Sequence, residues 1–335
     1  MLLGSPLHAQ WLNQPTAGMP RTADGVPNLA APPPKSADGK PDLSGLWRLG
    51  LTMGYAANIT ADLAAGDIQP WAAALSRQRL EDFGKDDPEI TGCLPGGPRH
   101  ITRPGLAKII HTPRLIAILY EDLSYRQIFM DGRQLPRDPN PSWMGYSVGR
   151  WDGDTLIVET AGFNDRTWLD FAGHPHSEAL LITERYRRRD FGHMDLQVTL
   201  DDPKVYAKPW TLAAGGSLAA DTELLEYVCG ENEKDRTHLV GRTADEKKVV
   251  VAPAVLATYV GAYRAGAQVF NISLAGDQLL IDFRGEGKVP MIPLSQTTFS
   301  PRLLGTYQFV RDDRGVVTHM LVHSAEEVLR AERIP

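Results

Sequence analysis

Two histidines one residue apart, His174-Pro175-His176, are the sharpest concentration of chemistry-bearing groups in the chain. On extended backbone, residues two apart point to one side, so both imidazoles reach toward one spot. With His193, and a carboxylate from Asp165, Asp170 or Glu178, they make a three- or four-ligand set for a divalent metal. Without a metal, His174 or His176 would serve as a general base near neutral pH. The spacing matches neither an HExxH helix nor a Cys/His zinc pattern. Ordinary hydrogen-bonded loop histidines are therefore the competing reading, and no cofactor is favoured outright. The Gly215-Gly216 stretch lacks the strand, glycine and helix setting of a phosphate cradle, so no nucleotide is expected.

Carboxylates come next. In the strand-like run Leu180 to Arg188, the face Leu180, Ile182, Glu184, Tyr186 alternates with Leu181, Thr183, Arg185, Arg187. The first face should point inward, placing Glu184 among apolar groups. The run Glu223 to Cys229 gives Glu226 the same inward setting. An isolated buried carboxyl has a raised pKa, which suits an acid or a base working near neutrality. A structural ion pair with Arg126 or Arg150 is the alternative. Asn164 and Arg185 are candidates for stabilising developing negative charge. No G-x-S-x-G occurs, and Ser147 sits within a β-meander instead of at a strand-to-helix elbow. Trp143, Tyr146 and Trp168 cluster near Asp165 as a candidate ligand-binding surface, with core filling as their other use.

The elements that must hold these groups are mostly strands. Period-two runs cover Leu115 to Glu121, Tyr125 to Met130, Tyr146 to Trp151, Thr155 to Thr160, Leu180 to Arg188, His193 to Leu200, Trp210 to Ala213 and Glu223 to Cys229. Short turns such as Asp131-Gly132 and Asp152-Gly153-Asp154 join several of them. Seven or eight sequential strands imply an antiparallel meander closed into a barrel. One helical segment is expected near 70–84: Pro70 opens it, Trp71, Ala74, Leu75 and Gln78 share a face, and Gly84 stops it. A second short helix is expected over 59–65, and a loop over 85–113 holding Cys93, His100 and His111. Residues 1–44 read as an extended arm in which Ala23-Asp24-Gly25-Val26-Pro27-Asn28-Leu29 recurs as Ala37-Asp38-Gly39-Lys40-Pro41-Asp42-Leu43. The large barrel domain then spans 45–240. A charged run over 230–250 reads as a solvated linker, and a second, smaller β domain spans 251–335.

Two resemblances accompany this reading. Residues 255–334, with Tyr259-Val260-Gly261-Ala262-Tyr263, Phe309-Val310-Arg311-Asp312 and Arg333-Ile334, resemble the small lipocalin-like domain appended to serine-β-lactamase-related proteins and peptidases. That resemblance implies a β-barrel accessory domain without chemistry of its own. Residues 36–240 resemble an uncharacterised family of exported bacterial proteins. The likeness lies in Ser36-Ala37-Asp38-Gly39-Lys40-Pro41-Asp42-Leu43-Ser44-Gly45-Leu46-Trp47, Trp143 to Asp170, Pro175-His176-Ser177-Glu178 and Glu226-Tyr227-Val228-Cys229. It carries no transferable reaction.

Bulk composition narrows the classes. The net charge of −6 gives no reason to expect nucleic acid as a partner, and no apolar run reaches the length of a membrane span. The start, Met1 to Gln10, reads as the tail of a secretory signal with Ala9 at a cleavage point. That leads to an expectation of a periplasmic or secreted protein. Cys93 and Cys229 either pair or stay as buried thiols. The oligomeric state is left open. The expected function is an exported hydrolase or lyase using histidine and carboxylate acid–base chemistry on a small organic or sugar-like substrate. The alternatives are a non-enzymatic binding protein for a hydrophobic small molecule and an envelope interaction module.

Overall fold

The computed structural model describes residues 14–231, 249–283, 287–302, 304–324 and 327–334. The signal-like start and most of the charged 230–250 run lie outside the described residues.

The chain is mainly β, with two nine-stranded sheets. The first is a closed barrel of β1 (Gly45–Gly50), β2 (Gly105–Thr112), β3 (Leu115–Tyr120), β4 (Tyr125–Phe129), β5 (Tyr146–Asp152), β6 (Thr155–Ala161), β7 (Leu181–Arg188), β8 (His193–Asp201) and β9 (Trp210–Leu218), in chain order. An odd number of strands cannot close with every neighbour antiparallel. The exception is β4 with β5, a parallel pair matching Ile128 to Ser147 and Phe129 to Val148. It lets β9 close antiparallel on β1, with Leu218 opposite Trp47. The simple meander expected from the sequence is corrected at that joint. Alternation fills the interior: Ile182, Glu184, Tyr186 and Arg188 of β7 are buried, as are Met194, Leu196, Val198 and Leu200 of β8.

Three expectations about elements fail. Residues 223–229 form no strand, because the barrel closes through β9 and β1 and leaves no edge to extend. Residues 85–113 are not simply a loop: they contain the short α3 (Arg99–Thr102) and β2. The short helix expected over 59–65 lies earlier, as α1 (Met53–Ala57). The main helix is where expected, as α2 (Pro70–Glu81), and Gly84 (φ +62°) ends it by donating to the Arg79 carbonyl. Its buried face is Ala72, Ser76 and Leu80, however, and Trp71 is half exposed. Small residues win that face because α2 lies close against the Ala172-Gly173 backbone, with Ser76 Oγ 3.3 Å from the Ala172 carbonyl.

The arm's internal repeat is a structural repeat. Thr22 N–H donates to Val26, Gly25 to Thr22 and Asn28 to Pro20; Ser36, Gly39 and Asp42 make the same three bonds to Lys40, Ser36 and Pro34. Each copy turns on a left-handed glycine, Gly25 or Gly39. Leu29 and Leu43 then anchor the copies, Leu29 against Gly192 and Leu43 in the barrel core.

The second sheet runs β13-β12-β11-β10-β18-β17-β16-β15-β14, antiparallel throughout. Its strands are β10 (Gly261–Ala265), β11 (Gln268–Ala275), β12 (Gln278–Phe283), β13 (Lys288–Pro290), β14 (Ile292–Pro293), β15 (Thr298–Ser300), β16 (Thr306–Arg311), β17 (Val317–His323) and β18 (Val328–Ile334). Only buried Met291 separates the two outermost strands, so the sheet curls around an aromatic core in which Tyr259 stacks on Phe309 at 4.3 Å. The helix α4 (Pro253–Tyr259) delivers that tyrosine. Contacts tie the two sheets together. Asn58 Nδ2 donates to the Lys288 carbonyl (2.6 Å), and Arg302 Nη1 donates to the Phe171 carbonyl (2.5 Å).

Cys93 and Cys229 form a disulfide across 136 residues. Closing so long a loop restricts the unfolded chain and stabilises the fold by roughly 2–5 kcal/mol. We expect a reductant to move the urea midpoint down by the equivalent of that energy; superimposable curves with and without reductant would refute it.

Candidate functional site

The segment 162–178 is folded into the protein, and nearly all of 167–176 is buried. Leu169 N–H bonds the His174 carbonyl, and Gly173 (φ +86°) turns the chain between them. Asp170, fully buried, accepts from Ile59 N–H (2.8 Å), His174 N–H (3.0 Å) and His174 Nδ1 (2.6 Å). Burial pushes its carboxyl up, but the His174 charge and these bonds outweigh that and hold it below the ordinary range. The other His174 nitrogen meets Thr60 Oγ1 at 3.0 Å. His176 meets Thr167 Oγ1 at 2.7 Å, and burial lowers its pKa to about 4. His193 starts β8, where it pairs with Asp190 beside the arm. The metal set expected from His174, His176 and His193 is therefore corrected: among the described residues the three form no common donor group. Each is taken up by a local partner, since a buried imidazole must be hydrogen-bonded.

Glu184 is inward and fully buried, but it is not a free acid. Arg126 grips both of its oxygens, and Tyr186 donates to Oε1 at 2.5 Å. Burial opposes the Arg126 charge, and Glu184 more than restores it, so Arg126 sits above its ordinary range. Arg126 also donates to Ser147 Oγ (3.0 Å) and Thr160 Oγ1 (2.6 Å). Arg185 faces outward, 3.6 Å from Asp152, and cannot serve an interior site. Glu226 is exposed and on no strand. Asn164 caps its own turn by accepting from Arg166 N–H, and Asp165 is exposed. Trp168 is buried beneath the Arg79 and Arg302 guanidinium groups (4.6 and 5.5 Å), which corrects its assignment to a ligand. Trp143 is half-buried, and the Tyr146 hydroxyl accepts from Arg133 Nη1 at 2.9 Å.

A different group gathers at the barrel's rim. The α3 turn delivers Arg99 and His100, both buried. His100 Nε2 lies 2.7 Å from Asp122 Oδ2 in the β3–β4 turn, and Ser124 fixes the other oxygen through its hydroxyl (2.6 Å) and N–H (3.2 Å). Burial pushes the Asp122 carboxyl up, while the His100 bond and charge, with Ser124, bring it below the ordinary range. A carboxylate acceptor places the ring proton on Nε2, which leaves a lone pair on Nδ1. Nδ1 is buried and has no hydrogen-bond partner, and neither has Glu89 Oε1. Both lie close to Gly96: a Cβ there would fall 2.5 Å from Nδ1 and 2.7 Å from Glu89 Cδ.

Around them, Arg99 Nη1 holds Glu89 Oε2 (3.0 Å) and Asp87 Oδ2 (3.1 Å). Arg103 Nη1 lies 2.6 Å from Glu89 Oε1 as an ion pair out of hydrogen-bond alignment, and its Nη2 lies 3.4 Å from His100 Nε2. From the second sheet, Arg302 Nη2 reaches Asp87 Oδ2 at 3.2 Å. Glu89, His100 and Asp122 each offer a donor atom, all within 4.8 Å of one another. A pocket of about 40 Å³ adjoins them, lined by His100, Arg103, Tyr120, Glu121, Tyr186 and aliphatic groups that include Ile118 and Leu196. It has room for an ion or a few waters and lies well below the roughly 300 Å³ of sites that enclose drug-sized ligands. Burial raises the Tyr120 phenol to about 12 and Tyr186 well above its ordinary value, so both are neutral donors near pH 7.

The sequence reading passed over Glu89, Arg103 and Asp122 and named His100 only as a loop residue. A usable signal existed: Glu89, Arg99, His100 and Arg103 crowd around Cys93 in a Gly- and Pro-rich segment, and a disulfide there can pin a loop for chemistry.

No family model matches the chain, and no curated protein matches it. Among solved structures, the chain is similar to the crystal structure of SurE with D-Leu at 13% identity and a TM-score of 0.22. The match covers 46% of this chain and 35% of that one, so the chain spans about a third of that protein's length.

Two outcomes follow. Arg126→Leu should cost about 3–5 kcal/mol, because it leaves a buried unpaired carboxylate; the Arg126→Leu, Glu184→Leu double variant should cost clearly less, and equal losses in urea unfolding would refute the pairing. His176 has a folded pKa of about 4 against an unfolded value of 6.5. The unfolded chain therefore binds its proton first. Stability should be lost as pH falls from about 6.5 to about 4, by roughly 3 kcal/mol, and His176→Gln should remove that part of the slope.

Proposed function

We propose that the chain is an exported enzyme of hydrolase or lyase type, in which the reacting group of a small substrate, one that carries an anionic or strongly polar group, reaches the narrow His100 pocket while the rest of the substrate stays outside it. One observation carries this reading: Asp122 and Ser124 fix the His100 ring, yet its other nitrogen is buried without a partner, beside the Glu89–Arg103 ion pair. A lone pair so placed suits a water that donates to it. A water of that kind, losing a proton to His100, is the nucleophile of a hydrolysis, and the same base suits proton abstraction in an elimination. Arg103, about a quarter exposed at the pocket wall, meets developing or resident negative charge. Tyr120, a neutral phenol, supplies a proton or a hydrogen bond.

In this proposal His100 and Asp122 replace His174, His176, Glu184 and Glu226 as the acid–base groups. A divalent cation is compatible with the same donors, Glu89, His100 and Asp122. The periplasmic or secreted setting draws support from the Cys93–Cys229 disulfide, because such bonds persist in oxidising compartments.

The test is a screen of esters, lactones, glycosides and β-eliminating acids. Against whichever substrate turns over, His100→Asn and Asp122→Asn should each lower kcat by about 100-fold or more. His174→Asn and His176→Gln, where folded, should change it by about threefold or less. Undiminished turnover in folded His100→Asn would sink the assignment.

A further inference from the structure

We propose that Glu89, His100 and Asp122 ligate a divalent transition-metal ion, and that Arg103 holds the ion's place until it arrives. The role of such an ion in a reaction rests on the function proposed above; its binding does not.

The donor set is one imidazole and two carboxylates, a mixture that suits zinc, manganese, iron or cobalt better than calcium or magnesium. Donors about 2.1 Å from a common ion lie at most about 4.2 Å apart. The donor atoms lie within 4.8 Å of one another, so an inward shift of at most about half an ångström brings them to that spacing. The outer partners of a metal site are already in place. Arg99, 1% exposed and pinned by Asp87 and the Asp170 carbonyl, holds Glu89 Oε2, while Ser124 holds Asp122 Oδ1. These bonds leave Glu89 Oε1 and Asp122 Oδ2 for an ion.

Glu89 is only 8% exposed, yet its Oε1 has no aligned hydrogen bond and meets only the Arg103 guanidinium. Buried groups of this kind are rarely left so unless water or an ion completes them. The positive charge beside these donors is supplied by Arg103, whose guanidinium sits 2.6 Å from Glu89 Oε1 and 3.4 Å from His100 Nε2. Its side chain is 28% exposed, so it has a way out to solvent that Arg99 lacks. An ion entering there takes His100 Nε2, Glu89 Oε1 and Asp122 Oδ2. The ring proton then moves to Nδ1, so in the metal-loaded form His100 is a ligand and no longer a base. Arg103 is displaced toward the pocket it already lines.

Competition of this kind has a signature that a merely structural cluster lacks: removing the arginine should tighten metal binding. Chelator-stripped protein would be titrated with Co(II) alone and followed by visible absorption. We expect one saturable equivalent, an affinity loss of at least 100-fold in Glu89→Gln or His100→Ala, and a gain of at least tenfold in Arg103→Gln. Asp122→Asn, at a half-buried position that tolerates the amide, should weaken binding at least tenfold and keeps the test sound if the buried variants do not fold. No saturable absorption in the wild type, or unchanged or weaker binding in folded Arg103→Gln, overturns the proposal. Stoichiometric cobalt with no turnover of any substrate would overturn the enzymatic reading and leave the metal site standing.

Discussion

A guanidinium inside a barrel has to be satisfied on every side, and Arg126 shows what that requires. Its donors reach Glu184 twice, Ser147 and Thr160, and Tyr186 completes Glu184. These residues sit on β4, β5, β6 and β7, so one buried ion pair spans four consecutive strands. It also crosses the barrel's weakest seam. The parallel pairing of β4 with β5 rests on two matched positions, where β7 and β8 have eight. Closure of an odd-stranded barrel forces a parallel joint somewhere, and parallel pairing is the less stable kind. The polar cluster bridges that joint with side chains where the backbone ladder is short.

That arrangement leaves the interior with no spare chemistry. A carboxylate gripped by an arginine and a tyrosine is not available to move a proton, and the surrounding space is packed with aliphatic groups. Unsatisfied polar atoms occur instead at the rim, where the α3 turn and the β3–β4 turn meet. The rim is also connected to the second sheet. Arg302, Asp87, Arg99 and Glu89 form an unbroken series of ion pairs with separations of 3.0–3.2 Å. Asp87 anchors it, fully buried and accepting from the Glu89 and Ile90 N–H groups. The segment between β15 and β16 of the second sheet therefore contributes a side chain to the framework behind Glu89 and ties the two sheets together.

Much of the fold was legible because strand parity is a strict rule. Alternation in Leu180 to Arg188 placed Glu184 and Tyr186 inside correctly, and Arg126 was one of two partners expected for that carboxylate. Parity says nothing about pairing order, so the parallel joint and the early strands β1 and β2 were invisible to it. It also misled at Glu226, where an alternating pattern lies on a segment with no partner edge. Helix position was readable from Pro70 and Gly84. The helix face was not, because Ala and Ser bury where backbones approach closely, and a hydrophobicity pattern ranks them below Trp71.

The site was less legible for a reason that applies to histidines in general. Residue type marks His174, His176 and His100 equally, and all three are buried. What separates them is how many ring nitrogens are already engaged. His174 is held at both nitrogens by Asp170 and Thr60, and His176 at both by Thr167 and the Ser177 carbonyl. A ring held at both ends serves as a rivet: its partners fix its tautomer, and moving its proton breaks a buried bond. His100 is held at one end only. The carboxylate behind it orients the ring and leaves the other nitrogen without a partner, an arrangement shared by acid–base histidines. The partner count depends on residues distant in sequence, Asp122 and Glu89 for His100 and Thr60 for His174. Local spacing therefore could not rank the three, and the adjacent pair in His174-Pro175-His176 drew attention that belonged to a histidine in a loop pinned by a disulfide.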